Sequence, residues 1–251
     1  MMKLYQFPPI DNMPNLSPFC MKLESYLKAM EIPYQVIETF DPRKSPTGKI
    51  PFVEIDVHMI ADSGLIISRL EAQSNSPMQA KLTTTEKATS LAFMRLMEEH
   101  LYWVILYSRW VDDVGVSVWA DKIQQAMGLS KIAFKLIFSG VRKNIEKSLQ
   151  AHGIGRHNKT DMYVLAQDDI KAIADFLGGR DFCFGNKPTL MDHCLYAFIC
   201  SIICVDWDYP LKTFTLKCQN LIDHFDRMMV LYFPKFSLIR SSKEKRLEVN
   251  G

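Results

Sequence analysis

Ser17-Pro18-Phe19-Cys20 stands at the head of an apolar-periodic segment, and Lys49-Ile50-Pro51 and Asp62-Ser63 follow it. Serine followed by proline reads as a helix start: Ser caps free amides, and Pro at the first helical position sacrifices no hydrogen bond. The same helix end attracts anions, because unpaired N–H groups and the helix dipole both favour negative charge. A hydroxyl or thiol exposed there can stabilise a bound thiolate. The plainer role of Ser17 is a helix cap, and Asp62 and Ser63 likewise fit the cap of a second helix. A dithiol cycle needs its attacking cysteine at the exposed helix start, where the thiol pKa is depressed. Ser17 holds that place and Cys20 lies one turn deeper, which excludes dithiol chemistry through this motif. Pro51 directly precedes a strand; either isomer of the Ile50–Pro51 bond is open, trans being the commoner state of such bonds.

Further along, His100, Trp103, Tyr107 and Trp110 fall at i, i+3, i+7 and i+10 and so share one helix face. Such an aromatic stripe serves either core packing or a binding pocket. Arg109, Arg156 and His157 are the charged groups placed to meet an anion, with surface solvation as the alternative for the two loop residues. Cys200 and Cys204 lie four apart on a helix, but no His/Cys set accompanies them, so they read as core and no metal site is expected. Thr189 and Asp192 have the spacing of a capping box, with Thr189 capping the amide three residues on and Asp192 returning to the Thr189 amide.

These groups are positioned by two kinds of text. Lys3 to Phe7, Tyr34 to Glu38, Phe52 to Ile55 and Met59 to Ala61 read as strands, and Pro18 to Met30 and a segment from Ser63 as helices. From Thr83-Thr84-Thr85-Glu86 onward the pattern is helical: Glu86 to Asp113, Val116 to Met127, Ser130 to Ala151, Asp161 to Leu177, a buried segment from Leu190, and Thr215 to Leu231. Phe182 to Phe184 is too short to build a second sheet. The expected division is an α/β domain over 1–75, a linker over 76–85, an all-helical domain over 86–236, and a polar tail over 237–251.

A net charge of +2 gives no nucleic-acid footprint and no sign of binding to an acidic membrane. Six cysteines in mostly apolar runs, with no signal-peptide pattern at Met1 to Pro9, read as free thiols in a reducing cytoplasm. The strongest apolar run, Cys194 to Val205, is shorter than the ~20 residues of a membrane span, and no transmembrane segment is expected.

Taken together, Ser17, Lys49-Ile50-Pro51 and Asp62-Ser63 resemble the thioredoxin-like domain of the glutathione transferase superfamily. Ser17-Pro18-Phe19-Cys20-Met21-Lys22-Leu23-Glu24 looks most like its metaxin and failed-axon-connections branch. Glu98-Glu99-His100-Leu101-Tyr102-Trp103, Ser108-Arg109-Trp110-Val111-Asp112 and Gly153-Ile154-Gly155-Arg156-His157 resemble the helical domain of that branch. Gly185-Asn186-Lys187-Pro188-Thr189-Leu190-Met191-Asp192 is similar to the N-capping box found across the superfamily.

The resemblance implies a thioredoxin-like α/β domain followed by an all-α domain, with glutathione as co-substrate and no metal. Ser17 would donate to the glutathione sulfur, and Ile50 would pair with the cysteinyl backbone, held by a cis-Pro51. Asp62 would take the γ-glutamyl ammonium and Ser63 its carboxylate, while Lys49 would reach the glycyl carboxylate. Tyr5 is a rival for the sulfur contact, although its place in a strand suits core or edge filling. Asp62 is shorter than the Glu common at that position. His100, Trp103, Tyr107 and Arg156 would line the co-substrate pocket. The implied activity is transfer of the glutathione thiolate to a small hydrophobic electrophile, by a homodimer. The alternatives are a metaxin-like non-catalytic adaptor, which here lacks a hydrophobic tail anchor, and a glutathione-dependent isomerase or lyase.

Overall fold

The structure, a computed structural model, describes residues 1–10 and 12–237; the expected polar tail lies outside the described residues apart from Ser237. Strand β1 (Met2–Gln6) is followed by α1 (Pro18–Ala29) and by β2 (Tyr34–Glu38), which pairs parallel to β1 with Leu4 opposite Val36. Strand β3 (Phe52–Ile55) runs antiparallel to β1 on its other side and turns into β4 (His58–Ala61), giving the order β2-β1-β3-β4. Helix α2 (Ser63–Gln73) follows.

Alternation along the strands splits the apolar residues between two faces. Leu4 and Val53 pack with Leu23, Tyr26 and Leu27 of α1 and Ile66 and Ile67 of α2. Tyr5, Phe52 and Ala61 form a separate cluster, with Tyr5 stacked on Phe52 at 4.4 Å between ring centroids. The Tyr5 hydroxyl donates to Glu54 at 2.8 Å, so this tyrosine is committed to the sheet.

The linker is pinned rather than loose: the Glu71 carboxylate accepts from the Tyr26 hydroxyl at 2.8 Å and the Met78 amide at 3.0 Å. Helix α3 (Thr84–Leu96) starts on a Thr83/Glu86 capping box. A π-helical turn, Met97–Leu101, joins it to α4 (Tyr102–Trp110). The single helix expected over 86–113 ends at Val111 because the Val111 and Asp112 amides both turn back to the Tyr107 carbonyl. Asp112 then caps α5 (Asp113–Met127), accepting in addition from Lys159 at 2.8 Å and Tyr163 at 2.7 Å.

After α5 come α6 (Lys131–His152), a 3-10 turn at Ile154–Arg156, α7 (Lys159–Leu177), α8 (Leu190–Ile203), α9 (Pro210–Thr215) and α10 (Gln219–Tyr232). The short α9, with Pro210 in its first turn, was absent from the sequence expectation. Phe182 makes only an isolated bridge with Gly185. Helix α8 is the axis of the helical core, buried from Met191 to Ile203. It packs against α1, where His193 Nδ1 and the Ser25 hydroxyl are 2.9 Å apart.

The Thr189/Asp192 capping box forms at the head of α8. Asp192 Oδ2 accepts from the Thr189 amide and hydroxyl, both at 2.7 Å, and Oδ1 accepts from the Cys183 amide at 2.8 Å and from His224 Nε2 at 2.9 Å. Cys183, Asp192 and His224 therefore bring three metal-binding atom types within 4.8 Å, but the carboxylate is spent on four hydrogen bonds.

Candidate functional site

The strand pairing gathers the three candidate stretches at one end of the sheet. Phe52 lies between Tyr5 and Ala61, so Pro51 and Asp62 sit one residue beyond that rung, beside the exit of β1. The third stretch is tied to the same exit. Asn15, fully buried, donates from Nδ2 to the Phe7 carbonyl and accepts from the Ser17 amide at 3.0 Å. Sequence reasoning passed over Asn15; its position two residues before Ser17 is the signature of an Asx turn.

Ser17 is the N-cap residue of α1 in position, with Pro18 next, but its side chain makes no capping bond. Its hydroxyl and the Phe7 amide face the Cys20 sulfur. Burial nevertheless pushes the Cys20 thiol up to about 12, with those two groups offsetting part of the rise. At neutral pH this cysteine is an unreactive thiol, in agreement with the exclusion of dithiol chemistry. Ser17 is 9% exposed.

The Ile50–Pro51 bond is cis. Asp62 is exposed and adopts φ 72°, in the left-handed region that a residue with a side chain rarely occupies. Its Oδ1 accepts from the Leu65 amide at 2.9 Å, so Asp62 caps α2, and Ser63 is buried at the first position of that helix. Lys49 is exposed on the loop ahead of Ile50.

Arg109 differs from its expected role. It is 3% exposed, donating from Nη1 to the Leu16 carbonyl at 2.7 Å and from Nη2 to the Ser201 carbonyl at 2.9 Å, with its guanidinium 4.4 Å from the Trp119 ring centre. It holds the residue before Ser17 against α8 rather than facing an anion. Burial pulls its pKa below the ordinary arginine value.

The aromatic stripe has its contacts on α6 and α7. His100 Nδ1 is 2.6 Å from Asp169 Oδ2, whose pKa burial raises. Trp103 stacks on His152 at 4.7 Å, Tyr107 meets Tyr163 edge-on at 6.0 Å, and Trp110 stacks on Phe138 at 5.0 Å. The groups this helical stretch presents to α1 and its preceding loop are instead Glu98, Tyr102 and Arg109. Arg156, exposed, donates to the Gln150 carbonyl at 3.2 Å. The glycines beside it are structural: Gly153 has φ 104°, and a Cβ on Gly155 would come within 2.8 Å of Leu149. A cavity of about 330 Å³ lined by Asp56, His58, Arg69 and Gln73 lies at the far end of the β3–β4 hairpin from Pro51.

A small mixed sheet in the order β2-β1-β3-β4 with α1 and α2 packed on it, followed by a helical bundle, defines a two-part protein of the thioredoxin-like kind. Comparison with known proteins sharpens this. The model for the glutathione S-transferase N-terminal domain matches residues 18–115, and that for the glutathione S-transferase C-terminal domain matches residues 166–228. The isoprene-epoxide–glutathione S-transferase of Rhodococcus sp. (strain AD45) is 30% identical over 92% of this chain and 99% of its own length. The chain belongs to the glutathione S-transferase family. Failed axon connections of Drosophila melanogaster is 32% identical over 94% of this chain, which spans 59% of that protein. A Metaxin-1 homolog of Caenorhabditis briggsae is 24% identical over 93% of this chain and 74% of its own. Among solved structures, a glutathione S-transferase from Methylobacillus flagellatus with glutathione bound superposes with a TM-score of 0.57 at 17% identity, covering 91% of this chain and 95% of that one. At that identity the likeness speaks for the fold.

Proposed function

We propose that this chain binds glutathione at the Ser17–Pro51–Asp62 end of its sheet and transfers the thiolate to a small hydrophobic electrophile. The observation that carries the reading is the convergence there of three unlike features: a serine at the head of α1 with no capping bond, the Ile50–Pro51 junction ahead of β3, and Asp62-Ser63 at the head of α2. The glutathione S-transferase relative at 30% identity supports it.

Ser17 is the catalytic residue of this proposal: its hydroxyl donates to the sulfur, and the α1 dipole adds to the field that favours the anion. The Ile50 backbone pairs with the cysteinyl part of the peptide. Asp62 and Ser63 take the γ-glutamyl ammonium and carboxylate, and Lys49 the glycyl carboxylate. The electrophile enters beside the sulfur. His100, Trp103, Tyr107 and Arg156 already spend their contacts within the helical region, so they shape that wall by packing rather than by direct grip.

A second reading, a binding protein without turnover, is favoured by one observation. The loop before Ser17 sends Ile10, Met13 and Leu16 into the helical core, leaving Ser17 only 9% exposed. Calorimetric titration with glutathione decides between them. Micromolar-to-millimolar binding is expected, with Asp62→Ala weakening it roughly 10- to 100-fold for the loss of a charge-assisted bond. Ser17→Ala should bind but raise the pKa of the bound thiol, and turnover with a panel of electrophiles then establishes transfer. No heat up to several millimolar glutathione sinks the transferase reading and leaves the partner-binding one.

A further inference from the structure

The α5–α6 hairpin turns aliphatic side chains outward. Ile132 is 80% exposed and Leu136 74%, one helical turn apart on one face, whereas Ile137 and Val141, 46% and 38% exposed, stand on the flank of the core-facing side. The inward face of α6 is made by other residues, Phe134, Phe138 and Ile145, which pack on the helical core. The helix therefore carries an outward apolar pair, Ile132 and Leu136, that its own fold does not use. A single exposed aliphatic is ordinary, so the adjacent pair takes its meaning from the charges around it.

Charge indicates what covers it. From Lys122 to Ile145 the chain contains Lys122, Lys131, Lys135, Arg142 and Lys143 and no Asp or Glu. Lys122 pairs with Asp206 and Arg142 with Glu146, but Lys131, Lys135 and Lys143 are exposed and make no ion pair among the described residues. By helical spacing Lys143 stands on the same side as Ile132 and Leu136, with Lys135 beside them. The near-neutral charge of the whole chain conceals this segregation. A second copy of the chain is a poor occupant, since an isologous contact sets lysine against lysine. Outermost aliphatics flanked by free cations suit a surface that is both anionic and able to admit hydrocarbon.

We propose that the N-terminal half of α6 docks on an anionic lipid bilayer. Ile132 and Leu136 enter the boundary between headgroups and acyl chains, and Lys131, Lys135 and Lys143 pair with the headgroup anions. The proposal is independent of the glutathione site and involves no membrane span.

The test is sedimentation of the full-length protein with phosphatidylcholine vesicles, with and without phosphatidylserine. Binding is expected only with the anionic lipid and should fall as salt rises. Lys135→Ala/Lys143→Ala should weaken partitioning roughly thirtyfold, at about 1 kcal/mol per cation. Ile132→Ser/Leu136→Ser should abolish most of the remainder while leaving the circular dichroism spectrum unchanged. Equal pelleting with neutral vesicles, or wild-type binding by both variants, overturns the proposal. So does a concentration-dependent dimer in sedimentation velocity that Ile132→Ser/Leu136→Ser removes, because the pair is then covered by a second copy.

Discussion

Glu98→Gln tests how α1 and the helical domain are held together. Glu98 sits in the π-helical turn between α3 and α4, 7% exposed. Its carboxylate accepts from Lys22 Nζ of α1 and, at 2.6 Å, from Arg95 Nη1. The Lys22 side chain is only 4% exposed, whereas that of Arg95 is 56% exposed. Glutamine keeps the shape but removes the charge, leaving the Lys22 ammonium buried without an anion. Removing one partner of a buried pair costs about 3–5 kcal/mol. Releasing Arg95 to water adds little, about 0–1 kcal/mol for an exposed partner.

Against a total stability of about 5–15 kcal/mol this is a large fraction. At about 2–4 °C per kcal/mol for a chain of this size, the melting temperature should drop by roughly 6–20 °C. Lys22→Met should be milder, because Arg95 still neutralises Glu98. The decisive quantity is the cost of Glu98→Gln in the Lys22→Met background, where no buried ammonium is stranded and the penalty should fall to about 1 kcal/mol. Urea and thermal unfolding followed by far-ultraviolet circular dichroism measure all four members of the cycle. An equal cost of Glu98→Gln in both backgrounds would refute the assignment of Lys22 as its buried partner.

Two further outcomes follow from burial. Five of the six cysteines are buried, Cys20 with its thiol pushed up to about 12, while Cys218 is half-buried; native protein at neutral pH should therefore be alkylated first at Cys218, and modification of Cys20 at a comparable rate contradicts its placement. Acid should weaken the fold through His193 and Asp192. Burial lowers His193 to about 4, so as pH falls below its ordinary value near 6.5 the unfolded chain takes a proton that the folded one refuses, and stability falls with it. Burial alone would raise Asp192, but its bonds from His224, Cys183 and Thr189 outweigh that and hold it below the usual carboxylate range. Its contribution, complete above the unfolded carboxylate pKa, is lost at still lower pH. The urea midpoint should decline from about pH 6.5 towards pH 4, and His193→Gln should flatten that slope; a midpoint unchanged over the window removes His193 from this role.

Features carried by neighbouring residues were legible in the sequence. Thr83 to Glu86 announced the start of α3 and Thr189 to Asp192 that of α8, because each pattern is closed within one helical turn; Ser17-Pro18 marked the start of α1 through Pro18, although Ser17 makes no capping bond. What could not be read is the partner brought from afar. Asp192 was expected to bond locally, yet its other oxygen is completed by Cys183 and by His224 of α10. The split of the expected long helix was hidden for a similar reason: the cap at Asp112 is reinforced by Lys159 and Tyr163, and apolar periodicity does not register either contact. Helix α6 falls where the pattern places a helix, Ser130 to Ala151. The core takes its longer apolar stripe, with Phe134, Phe138, Ile145 and Leu149, and leaves Ile132 and Leu136 outside.

Lys22, Glu98 and Arg109 are all buried charges, which is costly unless a partner is waiting, and Lys22 shows it in the sequence by standing between the apolar Met21 and Leu23. That signal foretells a partner without naming it. The structure spends all three on joining the parts of the molecule, Lys22 to Glu98 across α1 and the π-helical turn, Arg109 to the carbonyls of Leu16 and Ser201. These residues lie in the motifs that resemble the metaxin and failed-axon-connections branch. Ser17, Pro51 and Asp62 bond within their own half, through Asn15, the β1–β3–β4 pairing and the α2 cap. Frame and candidate site meet at Leu16, the residue before Ser17, whose carbonyl Arg109 holds against α8. Substitution at Ser17, which makes no capping bond, therefore addresses function, whereas those at Lys22, Glu98 and Arg109 address the assembly on which any such function depends, and Asp62→Ala also removes the α2 cap.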